Sequence, residues 1–276
     1  MPFKIYVDSR FKKLTGGSTS DSEFTIEIPH PIQVKGKAFV DTILIPNSFY
    51  VIRANENDKM YLTENSTVYR IVTIAPGQYN AHTLKDAVLV ALQTGRSITS
   101  NYMVTYDTTT NKLIVGLDAG TDTFTLYSGK LLDSNLSSFN TRNPGDTGPQ
   151  ASLPHHDSGE VTGFRALTAQ NGDVLTDVVA SDVVNVQPYN QLFLRSSLGE
   201  GYDAIGADGS SDIVRRIVCQ VPLNNIIIDQ HSLPHDSVTI GNREISSLSF
   251  QLTDVFGKIV DTKGHHISFS IIFIED

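Results

Sequence analysis

The chain has 276 residues, 39% hydrophobic and 18% charged, so it can bury a substantial core and is too apolar to be a disordered segment. Its formal net charge of −9 excludes a whole-surface nucleic-acid binder, which needs clustered Lys and Arg. One cysteine, Cys219, excludes an intramolecular disulfide and a multi-cysteine zinc site, so folding does not depend on an oxidising compartment.

Strand signals come first. "FKIYV" alternates at Phe3, Ile5 and Val7. After the Gly/Ser/Thr-rich break "TGGSTSDS", the stretch "EFTIEIP" places Phe24, Ile26 and Ile28 on one face. "KAFVDTILIP" is nearly continuously apolar, reads as a strand buried on both faces, and is stopped by Pro46. "MYLTE" and "VYRIVTI" predict two more strands. The pattern then changes. Leu84, Ala87, Val88, Ala91 and Leu92 recur at helical spacing, with Thr83 as the expected N-cap, Asp86 three residues on, and Gly95 as the stop. A hairpin follows, "YMVTYD" and "KLIVGL" around "TTTN", and then the strand "TFTLY". Residues 133–181 lose all periodicity and are rich in proline and glycine, which predicts a long exposed loop or insertion.

Regular strands return in "VVNVQPYNQLFLRS", "DIVRRIVCQVPL", "NNIIID", "SVTIG" and "SSLSFQLTD". The chain ends on "HHISFSIIFIED", where Ile267, Phe269, Ile271 and Phe273 share one parity. A terminal strand this apolar must be held between earlier strands. Eight to ten main-body strands would leave two hazardous edges in an open sheet, so the expected fold is all-β, a jelly-roll β-sandwich with an inserted helix-plus-hairpin unit. The expected division is 1–67 with 182–276 as the jelly-roll scaffold, 68–132 as an inserted β-α-β-β-β unit, and 133–181 as a long exposed loop or insertion.

The search for chemistry returns little. His155, His156 and Asp157 sit in the Pro/Gly loop, His231, His235 and Asp236 in "QHSLPHD", and His265 and His266 before the last strand. Adjacent histidines lack the three or four converging ligands of a metal site, and "GADGSSD" lacks the length and terminal Glu of a calcium loop. No GxSxG, Walker A, GxGxxG or HExxH pattern occurs. Cys219 lies inside a strand, where cysteine is a small buried hydrophobe. Arg215 and Arg216 point to opposite faces, one available for a carboxylate. Lys4, Arg10, Lys12 and Lys13 against Asp8 form a basic N-terminal arm that could touch nucleic acid or an acidic neighbour. No catalytic, cofactor-binding or metal-ligating residue is assigned, and an enzyme is not expected. No run approaches the ~18 apolar residues of a membrane span, and "MPFKIYVDSR" lacks the apolar core of a signal peptide.

Four stretches, "YVDSRFKKLTGGSTSDSEFTIEIP", "VDTILIPNSFYVI", "SSDIVRRIVCQVPLNNIIID" and "LSFQLTDVFGKIVDTKGHHISFSIIF", occur in this order, with the "PGQY" helix between the second and third. Together they resemble the minor capsid (penton) proteins of virophages and Polinton-like viruses, over most of the chain outside 133–185. The resemblance implies a jelly roll assembled as a homopentamer at icosahedral vertices, with the major capsid protein of the same virus as partner. It further implies a virion protein, assembled inside the host cell, without catalytic residues or cofactor. The rival reading is a carbohydrate- or receptor-binding β-sandwich module, a fibre tip or lectin-like domain. The chain has no Trp to serve as a sugar platform, though its ten tyrosines could.

Overall fold

The computed structural model describes residues 3–13, 20–129, 131, 157–198, 205–206, 209–230 and 237–274. In chain order the strands are β1 (Phe3–Asp8), β2 (Glu23–Pro46), β3 (Lys59–Glu64), β4 (Val68–Thr73), β5 (Tyr102–Asp107), β6 (Lys112–Leu117) and β7 (Phe124–Tyr127). They continue with β8 (Gln170–Gly172), β9 (Val178–Val179), β10 (Gln191–Ser196), β11 (Ile213–Val218), β12 (Ile226–Gln230), β13 (Val238–Thr253) and β14 (Ser268–Ile274). Helix α1 spans Ala81–Gln93, between β4 and β5, and the single turn α2 spans Gly159–Thr162, between β7 and β8. Contacts divide the chain into two compact units, Met1–Phe49 with Tyr189–Asp276, and Tyr50–Pro188.

The first unit is a seven-stranded antiparallel assembly in the order β1-β14-β2-β13-β10-β11, with β12 also on β2. Its key element is β2, 24 residues long. Its first half pairs with the second half of β13, through Phe24↔Phe250 and Ile26↔Leu248. Its second half takes β14 on one edge, through Ile43↔Phe269, and β12 on the other, through Ile45↔Ile227. β2 thereby passes from the β13-β10-β11 layer into the β1-β14-β12 layer. Phe250 packs edge-on against Phe269 at 4.8 Å and also meets Phe24, so the inner faces share one core. This is an all-β, antiparallel sandwich, and β14 lies between β1 and β2 as its parity demands.

Two pairs of expected strands are single elements. "EFTIEIP" and "KAFVDTILIP" join as β2, because Pro29 and Pro31 fall in a stretch without ladder partners, where their missing N–H groups cost nothing. "SVTIG" and "SSLSFQLTD" join as β13, whose irregularities at Thr239/Gly241 and Ile245/Ser247 absorb the breaks. The eight to ten main-body strands are therefore seven.

The second unit has its own core, built on Leu62, Leu84, Val88, Leu92, Leu113 and Phe124. It contains the sheets β4-β3-β7-β8 and β5-β6-β9. Its boundary corrects the expected one at 67/68. β3 pairs with β4 and with β7, through Tyr61↔Ile71 and Tyr61↔Tyr127, so "MYLTE" belongs with the insertion and not with the scaffold. The segment 133–181, expected as a long exposed loop or insertion, joins the second unit over its described part. α2, β8 and β9 lie there, and β8 and β9 pair with β7 and β6. Strands of two or three residues are too short to carry a period, which hid them. Residues 132–156 lie outside the described part. At α1 the cap is Asn80, not Thr83. Asn80 Oδ1 accepts from the Thr83 N–H and Thr83 Oγ1 accepts from the Asn80 N–H, a reciprocal capping box one turn earlier than expected.

Candidate assembly surface

Most of the described chemistry candidates are engaged in structural contacts. Lys4 pairs with Asp41 at 2.7 Å, Arg10 with Asp8 at 2.6 Å, Lys12 with Asp21 at 2.8 Å, and Lys13 with Glu27. The basic arm is thus matched cation for anion within the chain, and its sequence run of positive charge does not reach a partner uncompensated. Arg10 in turn holds the Asp8 carboxyl below the usual carboxylate range. Arg215 is buried and pairs with Asp229 of β12 at 2.6 Å, while Arg216 is exposed. Cys219 is buried, and burial pushes its thiol up to about 11, so it is an inert hydrophobe. In "GADGSSD", Asp212 is engaged by Arg195 at 2.8 Å and the Gly209 N–H donates to the Gly206 carbonyl, while residues 207–208 lie outside the described residues. Asp157 accepts from the N–H groups of Gly129 and Gly159. His155, His156, His231, His235 and Asp236 lie outside the described residues. Among the described residues no group of three metal-ligating side chains occurs, and no helix is long and apolar enough to cross a membrane.

One trio has the composition of a nucleophile relay. Ser9 Oγ lies 3.4 Å from His266 Nδ1, and Asp21 Oδ1 lies 3.1 Å from the same nitrogen. A relay needs the two ring nitrogens to face different partners. Here one nitrogen faces both, and Ser9 Oγ accepts from the Ile267 N–H at 3.1 Å. The trio fastens the end of β1 to the start of β14.

What remains exposed and unused is apolar strand edge. The four-stranded layer runs β1-β14-β2-β12, so β1 and β12 are its two borders. The Ser9 N–H donates to the Ile267 carbonyl, which sets the phase of the β1–β14 ladder. Antiparallel alternation then turns the backbone groups of Lys4 and Tyr6 away from β14, to the open edge. On the far border the Asn47 N–H donates to the Asn225 carbonyl, and the same alternation turns Ile226 and Ile228 outward. The side chains match the backbone: Tyr6 is 79% exposed, Ile226 54% and Ile228 59%. An open groove of about 750 Å³ follows β1, lined by Phe3, Tyr6, Phe11, Ile28 and Leu44. The sequence carried a signal for both borders. Tyr6 sits out of phase with Phe3, Ile5 and Val7, and three successive isoleucines in "NNIIID" cannot all face one core.

No protein-family model and no curated protein matches the chain. Among solved structures, it is similar to the crystal structure of the selenomethionine-labelled mavirus penton protein, with a TM-score of 0.50 and 9% sequence identity. The superposition covers 99% of this chain and 99% of that one, so the likeness includes the scaffold and the insertion together. The fold of this chain, an all-β jelly-roll sandwich, is thus like that of a virophage penton protein.

Proposed function

We propose that this chain is a viral structural protein, a minor capsid (penton) protein that forms homopentamers at the vertices of an icosahedral virion. The observation that carries the reading is the end-to-end likeness, over 99% of each chain, to a penton protein. The site chemistry supports it. Buried Glu64 and Arg215 are paired, with Arg70 and Asp229, and the one buried thiol is inert. The Ser9/His266/Asp21 trio is wired as a fastener between β1 and β14. A closed ring needs heterologous contacts, one face of each subunit meeting a different face of the next. The major capsid protein of the same virus would surround such a ring, and assembly would take place inside the host cell, in keeping with a fold that uses no disulfide. Negative-stain imaging of the purified protein tests the proposal. Rings with five-fold symmetry are expected, and trimeric tips or uniform monomers at high concentration would overturn it.

A further inference from the structure

We infer that the β1 edge of one copy docks against the β12 edge of the next, so that Tyr6 and the β1 groove of one subunit receive Ile226 and Ile228 of its neighbour. This inference deepens the penton reading and rests on it, because it names the two faces that a closed ring would bring together.

Three observations carry it. The first is geometric. β1 and β12 are the opposite borders of one four-stranded layer, and each turns two residues' backbone N–H and C=O groups outward. β1 is antiparallel to β14, β14 to β2, and β2 to β12, so β1 and β12 run in opposite directions. Placing one copy's β1 beside the next copy's β12 with the layers in the same sense therefore gives an antiparallel pair. Tyr6, Ile226 and Ile228 then project from the same side of the continued layer, as an aromatic partner across from β-branched ones. Because the two borders differ, the contact is head-to-tail, the type that generates rings.

The second observation is electrostatic. A chain of net charge −9 repels its own copies wherever acidic surface meets acidic surface. Along the two borders, Lys4, Asp8 and Asp229 are matched within the chain. At β1, Lys4 is matched by Asp41 and Asp8 by Arg10, and at β12, Asp229 is matched by Arg215. Two surfaces that carry compensated charge and exposed apolar side chains suit each other and do not suit a strongly charged partner.

The third is what the edges lack among the described residues. Natural proteins guard a free strand edge with uncompensated charge, proline or a covering loop. β1 has one lysine, neutralised by Asp41, and β12 presents isoleucines. Edges of this composition invite a partner strand.

The test is cross-linking in the full-length chain. Tyr6→Cys and Ile228→Cys are made as two separate proteins and as a double variant, with thermal unfolding of each as the folding control. Cys219 is buried and stays out of the reaction. On mild oxidation, neither single variant should dimerise with itself. An equal mixture of the two should give a disulfide-linked dimer, and the double variant should give a ladder that ends at five. A disulfide needs Cα atoms within about 7 Å, so the bond reports true edge-to-edge contact. Self-dimers of a single variant would mean an isologous contact and overturn the inference. A preparation that light scattering finds pentameric but that does not cross-link would overturn the inference and leave the penton reading standing. A preparation that stays monomeric at every concentration and salt would overturn both.

Discussion

Glu64 gives the second unit a sharp test. It ends β3, is 0% exposed, and is surrounded by donors. The Ser97 N–H donates to it at 2.7 Å and the Tyr102 hydroxyl at 2.9 Å, and it also accepts from Ser97 Oγ and pairs with Arg70. Arg70 in turn donates to the Thr94 carbonyl at 2.7 Å and reaches the Leu92 carbonyl, which satisfies the C-terminal end of α1. One carboxylate thus holds β3, β4, β5 and the helix end in register. Glu64→Gln keeps the shape, removes the charge, and turns an NH₂ toward groups that are themselves donors. Removing one partner of a buried pair costs ~3–5 kcal/mol, a large share of the ~5–15 kcal/mol that stabilises a domain. Tyr102→Phe removes a single bond to a charged acceptor and should cost ~1.5–3 kcal/mol. Urea unfolding followed by circular dichroism measures both. The pH dependence has a defined sign. Burial alone would raise the Glu64 carboxyl, but the bonds from Ser97 and Tyr102 and the Arg70 charge outweigh it and hold it below its ordinary 4.5. Its contribution is therefore complete above that ordinary value and lost as pH falls through the lower folded value. The stability gap between parent and Glu64→Gln should accordingly close in acid. A Glu64→Gln protein within ~1 kcal/mol of the parent at neutral pH would refute the reasoning.

Phe269→Ala opens the shared core of the sandwich beneath Phe250 and should cost ~3–5 kcal/mol by denaturant unfolding. A double-mutant cycle with Phe250→Ala should return a coupling of ~0.5–1.5 kcal/mol, and no coupling would mean that the rings do not pack. Gly163 follows α2 with φ +85°, and a Cβ there would sit 2.3 Å from the Asp182 carbonyl oxygen. Gly95 also has a positive φ, +68°, but faces open space. Thermal unfolding should show Gly163→Ala to be clearly more destabilising than Gly95→Ala, because only the first adds a clash to the backbone strain.

How much of this was legible depended on whether a signal was periodic. The parity of Ile267, Phe269, Ile271 and Phe273 located β14 and its central place, because a strand with one buried face repeats every two residues. The spacing of Leu84, Val88, Ala91 and Leu92 located α1, since all four are buried. Its start was misplaced by one turn, because Asn80 and Thr83 are both capping residues and only their reciprocal bonds decide between them. β8 and β9 carried too few residues for any period. The boundary at Phe49/Tyr50 was invisible because it depends on Tyr61 meeting Tyr127, a pairing that spans 66 positions. The internal matching of the basic arm was hidden for a related reason. Its partners Asp21, Glu27 and Asp41 are brought to it by the fold. The two borders of the β1-β14-β2-β12 layer left the clearest unread signals, an out-of-phase Tyr6 and a run of three isoleucines.

The central claim is that this chain closes into a five-membered ring, and the most direct measurement is native mass spectrometry across a salt and concentration series. The account predicts a species of five times the 30.2 kDa chain mass. It should gain on the monomer as salt rises from low ionic strength, because screening over a ~10 Å Debye length at 0.1 M weakens the repulsion between subunits of net charge −9. A monomer under every condition, or a stable dimer or trimer in place of the pentamer, would contradict it.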